Sequence, residues 1–127
     1  VANGGTIKRP TLVDRIVSPK GKIIQRTQPH TWKEAMKPQT AAELTAMMTA
    51  VVQSGTGAAA QIPGVPVAGK TGTAETGRTG ENDTWFIAFA PAQNPEVAVA
   101  VALSNQSGTG GATAAPIAKE IIEALLR

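Results

Sequence analysis

The chain has 127 residues, 42% hydrophobic but only 3% aromatic, with a net charge of +3 and a pI near 9.6. That is the length of one ordinary domain with an aliphatic, alanine-rich core, able to bury about two-thirds of its unfolded surface. Scattered cations without interleaved aromatics speak against a nucleic-acid surface, and the absence of cysteine rules out disulfides and Cys-based metal sites. No stretch is long and apolar enough to span a bilayer, and no signal peptide is visible.

Val1-Ala2-Asn3-Gly4-Gly5 opens the chain without a Met, in the chemistry of a helix end passing into a turn. The chain is therefore expected to be the C-terminal piece of something longer. Two short apolar-containing runs follow, Leu12 to Val17 and Lys22 to Arg26. Ser18-Pro19-Lys20-Gly21 between them suits a type I turn, so the pair reads as a β-hairpin. Residues 28–39 are polar, carry Pro29 and Pro38, and read as an irregular connection. His30 lies there without a second ligand type nearby and reads as a surface or packed histidine.

Thr40-Ala41-Ala42-Glu43 has the form of a capping box. Leu44, Met47, Met48, Val51 and Val52 recur at helical spacing behind it, with the methionines as core filler, and Ser54-Gly55 supplies the stop. Thr56 to Ala60 is a turn of small residues. Trp85 to Ala90 and Val97 to Leu103 read as a strand pair joined through Pro91 to Pro95. The second run is apolar at every position, so a central strand covered on both faces is expected. Gly108 to Gly111 reads as a flexible loop, and Pro116 suits the first turn of a last helix whose buried stripe is Ile117, Ile121, Ile122 and Leu125. The fold class is α/β of the α+β type: an antiparallel sheet flanked by helices, with no internal repeat and no second domain.

The chemistry is concentrated in residues 65–75. Lys70-Thr71-Gly72-Thr73 sets an ammonium, a hydroxyl, a residue without Cβ and a second hydroxyl in consecutive positions. On a strand, alternate side chains face the same way, so Thr71 and Thr73 share one face and Gly72 leaves room for close approach. That suits gripping a carboxylate or a carbonyl. Gly64 to Thr71 also satisfies the phosphate-loop pattern of Gly, four residues, Gly-Lys-Thr. It lacks the preceding apolar strand and the following helix that such a loop needs, so nucleotide binding is set aside. Trp85 and Phe86 read as sheet packing rather than as a stacking platform. Arg78 and Glu81, in a polar loop spanning 76–83, read as solvated.

Lys70-Thr71-Gly72 resembles the third motif of the penicillin-binding proteins and serine β-lactamases. Its surroundings strengthen the likeness in order along the chain: Gly55-Thr56-Gly57-Ala58-Ala59, Val67 to Glu75, Trp85-Phe86-Ile87-Ala88-Phe89-Ala90-Pro91, and Ala114-Ala115-Pro116-Ile117. The resemblance covers nearly all of the chain and is nearest the class B transpeptidases of the actinobacterial penicillin-binding protein A type. It implies that residues 1–127 form the C-terminal portion of one transpeptidase domain. It further implies that Lys70 keeps the cleft positive and that the Thr71 and Thr73 hydroxyls hold a carboxylate. Gly72 would make room for the acyl group, and the Thr73 N–H would supply half of an oxyanion hole.

Two of the family's three motifs are missing. Three residues after Ser18, Ser54, Ser104 and Ser107 stand Gly21, Gly57, Ser107 and Gly110, so no Ser-x-x-Lys exists; no Ser-x-Asn exists either. The nucleophile is expected on a partner chain or segment, and this chain alone is expected to be inactive. The resemblance implies peptidoglycan stem peptides and β-lactam antibiotics as ligands, and no cofactor, metal or nucleic acid. It places the protein at the extracytoplasmic face of the bacterial membrane, in cell-wall synthesis, division and shape, held by an anchor outside this chain. A D,D-carboxypeptidase, a β-lactam sensor and a non-catalytic structural module of the same fold are the alternatives.

Overall fold

The computed structural model describes residues 1–127 as two short ribbons followed by a sheet with helices. Strand β1 (Thr6–Lys8) pairs antiparallel with β4 (Thr31–Glu34); between them in sequence, β2 (Arg15–Val17) pairs with β3 (Ile23–Arg26). The β2–β3 hairpin is the one read from the sequence. Its turn closes through the Gly21 amide on the Ser18 carbonyl at 2.9 Å, with Gly21 at φ 79°, a conformation glycine adopts without a Cβ penalty. The β1–β4 ribbon corrects the expectation of an irregular connection over 28–39. Its pairing is non-local: Lys8 Nζ donates to Thr31 Oγ1 at 2.9 Å across 23 positions. A three- or four-residue strand with a distant partner shows no local periodicity.

Helix α1 spans Pro38–Ser54 and stops at Gly55. It starts two residues before the expected cap, because Pro38 sits at the helix start, where a missing N–H costs nothing. Thr40 is thus inside the helix and the capping box does not form; Glu43 instead accepts from Gln39 Nε2 at 3.1 Å. Val52 is buried and Met48 partly so, but Met47 is 63% exposed, which corrects its reading as core filler. Beyond Gly55, a short 3₁₀ turn at Ala58–Ala60 leads to Gln61, whose Nε2 donates to the Val52 and Gln53 carbonyls at 2.9 and 2.8 Å. Carbonyls left open at the helix end are thereby satisfied.

Strands β5 (Ala68–Glu75), β6 (Asn82–Ala90) and β7 (Val97–Gln106) form an antiparallel sheet in the order β5-β6-β7. The central strand is therefore β6, and β7 is an outer strand, contrary to expectation. Its alternation explains why: Val97, Val99, Val101 and Leu103 turn inward while Ala98, Ala100 and Ala102 stay exposed. One face is packed and the other is not.

Helix α2 (Gly110–Leu125) covers the packed face. It begins in what reads as a loop, so Gly110 and Gly111 are its first turn and Pro116 lies inside it. The expected isoleucine stripe is corrected in part. Ile122 is fully buried as expected, together with Ala114, Ala115 and Ala118, whereas Ile117 and Ile121 are a little over a third exposed and Leu125 is 60% exposed. The main core joins these residues to Val52, Val67, Phe86, Ala88 and Val101. A second, smaller cluster of Ala68, Phe89 and Ala92, flanked by Met48, lies where α1 meets the start of β5.

Candidate active site

The motif expected on a strand is on one. Lys70, Thr71, Gly72 and Thr73 occupy the middle of β5, opposite Ile87, Phe86, Trp85 and Thr84 of β6. Because side chains alternate, Thr71 and Thr73 share the face of buried Phe86 and Thr84, beneath α2. Lys70 and Gly72 belong to the other face, beside Trp85 and Ile87, both about half exposed. The polypeptide preceding the motif is not a phosphate loop. Gly64 (φ 77°) lies in a turn closed by the Val65 amide on the Ile62 carbonyl, and extended strand follows it.

Each polar side chain of the motif has a partner. Lys70 Nζ donates to the Thr71 carbonyl at 2.8 Å. Since β5 is an outer strand, one of its edges is open. Backbone groups two residues apart on a strand point the same way, so the Thr73 amide and carbonyl are turned to the side of the Thr71 carbonyl that the ammonium occupies. The Thr71 hydroxyl lies 2.7 Å from that of Thr56, and the Thr73 hydroxyl accepts from the Gly110 amide at 3.2 Å. Thr73 and Lys70 are exposed, Thr71 and Gly72 partly so.

Glycines set how closely these pieces approach. A Cβ at Gly69 would collide with the Phe86 ring, and one at Gly72 would stand 3.2 Å from Trp85 Cβ. At the start of α2, a Cβ on Gly110 would strike the carbonyl oxygens of Trp85 and Gly72, and one on Gly111 that of Thr56. The first turn of α2 is thus pressed directly onto the motif.

Thr56 and Gly110 are members of this constellation that the sequence left without a role. Thr56 stands between two glycines after a helix stop, a signal of close approach but not of its target. Thr109, the N-cap of α2, precedes Gly110-Gly111, and a threonine in that position is a helix-start signal that the glycines masked. The loop spans residues 76–81, shorter than expected because Asn82 and Asp83 join β6; it carries the Arg78–Glu81 ion pair at 3.5 Å, with Arg78 exposed and the Glu81 Oε2 it meets buried. The roughly 410 Å³ hollow lined by Val52, Gln61, Ile62 and Val67 includes none of Lys70–Thr73.

What the chain resembles in known proteins agrees with this geometry. The family model for the penicillin-binding protein transpeptidase domain matches residues 1–123. The chain belongs to that family. The peptidoglycan D,D-transpeptidase PbpA of Mycobacterium tuberculosis is 46% identical to this transpeptidase-family chain over 134 residues, covering 100% of it and 27% of the relative. Stage V sporulation protein D of Bacillus subtilis is 36% identical over 129 residues, covering 94% of the chain and 20% of that protein. The structure of penicillin-binding protein A from M. tuberculosis as a ceftriaxone acyl-enzyme superposes with a TM-score of 0.85 at 45% identity, over 99% of this chain and 30% of that one. The chain thus spans under a third of the length of these relatives. Its mixed α/β architecture is that of the family's transpeptidase fold.

Proposed function

We propose that this chain is the C-terminal portion of a peptidoglycan D,D-transpeptidase domain and supplies one wall of its acyl-transfer cleft. The observation that carries the proposal is the open edge of β5, where an ammonium, two hydroxyls and a backbone N–H of known direction gather within four residues. The PbpA relative is named a D,D-transpeptidase, and penicillin-binding protein A was captured as a ceftriaxone acyl-enzyme. Both support the reading.

In the proposed reaction a serine oxygen, from a segment carrying Ser-x-x-Lys, attacks the carbonyl of a D-Ala-D-Ala bond. The C–N bond breaks, protonated D-Ala leaves, and an amine of a neighbouring stem peptide then takes the acyl group and releases the serine. The residues of β5 bind and polarise. Thr71 and Thr73 hydroxyls hold the terminal carboxylate. Lys70 adds positive charge where negative charge gathers, and the Thr73 N–H meets the developing oxyanion; one such donor contributes about 3–4 kcal/mol to transition-state stabilisation. The Thr73 carbonyl accepts from the substrate amide as the peptide lies along the open edge like an added strand. Gly72 leaves space for the acyl group. β-Lactams, which carry the same carboxylate beside a reactive amide, would trap the acyl-serine. The reaction belongs on the extracytoplasmic side of the cell membrane, where peptidoglycan lies.

Fluorescent penicillin tests the division of labour. Mixed with the chain that carries Ser-x-x-Lys, it should label that partner and leave this chain unlabelled. Strong covalent labelling of this chain alone would overturn the assignment of roles. In the complete domain, Thr73→Val should slow acylation about tenfold or more, the loss expected when a hydrogen bond to a charged group is removed. Unchanged acylation would favour a structural module that merely keeps the fold.

A further inference from the structure

Thr84 is the buried polar residue of the sheet-and-helix core, with no exposed surface. It stands opposite Thr73 on β6, and its hydroxyl lies 2.8 Å from that of Thr113 on α2. The Thr113 hydroxyl in turn donates to the Thr109 carbonyl at 2.9 Å. A hydroxyl has one hydrogen. With that of Thr113 committed to Thr109, Thr84 must be the donor to Thr113. The direction of the path is therefore set: Thr84 to Thr113 to the Thr109 carbonyl, at the cap of α2.

The next residue, Gly110, donates its amide to Thr73 Oγ1. A Thr73 oxygen that accepts from Gly110 keeps its own hydrogen free for another acceptor, and the side chain is exposed at the strand edge. We propose that Thr84 and Thr113 are positioning residues for carboxylate recognition: they pin the first turn of α2 so that Gly110 fixes Thr73 as a donor towards the ligand. The absence of Cβ atoms at Gly110 and Gly111 permits the close seating on which this depends. The inference rests on the reading of Thr73 as a carboxylate-binding residue.

The test compares acylation of the complete transpeptidase domain by benzylpenicillin and by its methyl ester, which lacks the charge. The quantity read is the preference for the free acid, the ratio of the two second-order rate constants. Thr73→Val should abolish most of this preference. Thr113→Val, which keeps the shape and removes the hydroxyl, should lower it roughly fivefold to tenfold, a loss of the size seen when a hydrogen bond is left unmade. Thr113→Ser should restore it, and adding Thr113→Val to Thr73→Val should change nothing further. If Thr113→Val does not fold, Thr113→Ala removes the same hydroxyl and should give the same fall. A normal preference in the Thr113 variants, with Thr73→Val deficient, overturns the positioning role and spares the reading of Thr73. A normal preference in Thr73→Val overturns both.

Discussion

Gly69 has no room for even one more methyl group. A Cβ there would run into the Phe86 ring and approach Val52 Cγ2 to 3.2 Å, where β5, β6 and α1 meet. Overpacking at such a place costs about 1–3 kcal/mol. Gly69→Ala should lower the unfolding free energy of the complete domain by that amount, read as a lower urea midpoint with an unaltered slope. Gly72 is different, because its missing Cβ faces the partly open side of the strand beside Trp85. Gly72→Ala, whose Cβ would meet Trp85 Cβ at 3.2 Å rather than run into a ring, should lower the midpoint less than Gly69→Ala and slow acylation, and the two measurements together separate packing from function. The four motif residues are legible in the sequence itself, since the period of a strand alone decides that Thr71 and Thr73 share a face. Their partners are not. Thr56 and Gly110 lie 15 and 37 positions away from the hydroxyls they bond, and no local pattern encodes such a meeting.

Between α2 and the sheet, volume decides which residues face inward. Phe86, Val101 and Leu103 already fill much of the space above the sheet, so the helix settles on them mainly with small side chains. Ala114, Ala115 and Ala118 provide that surface, Ile122 is the large side chain of the helix buried with them, and Ile117, Ile121 and Leu125 are turned partly outward. Hydropathy weighs isoleucine above alanine, and a stripe read from the sequence follows the weight rather than the fit. Ala118→Leu should accordingly be destabilising by about 1–3 kcal/mol despite a gain in hydrophobicity, seen as a lower melting temperature of the complete domain. Leu125→Ala, at a position 60% exposed, should cost far less. The same distinction applies to β7. Its seven apolar positions suggest burial on both faces, yet valine and alanine alternate strictly there. The alternation carries the answer, with the bulkier residue on the packed side.

Taken whole, the chain carries one finished face and one unfinished. The sheet is covered by α2 on the side of Phe86, while on the other side Trp85 and Ile87 are 47% and 48% exposed, with Ala98, Ala100 and Ala102 beside them. Lys70 and Gly72 open onto that same side. The succession of hairpin, helix, three strands and helix, the antiparallel sheet and the location of the motif can be read from the sequence; the β1–β4 ribbon cannot. The unfinished face cannot, because apolar periodicity does not say which neighbour supplies the cover. If the serine-bearing portion of the domain packs there, it both buries this face and brings the nucleophile to the edge of β5. Burying an isoleucine side chain contributes about 1.5–3 kcal/mol, and burying an unpaired carboxylate costs more than that gain. Ile87→Asp should therefore weaken association between this chain and a separately supplied Ser-x-x-Lys portion by at least tenfold in a titration, and abolish penicillin labelling of the mixture at concentrations that suffice for the parent. An acidic substitution in the β2–β3 hairpin, such as Ile24→Asp, is the control for added charge, since that hairpin does not pack on the sheet. Equal association of the Ile87 variant and the parent would mean that the cover comes from elsewhere, and that the nucleophile reaches Lys70 by another route.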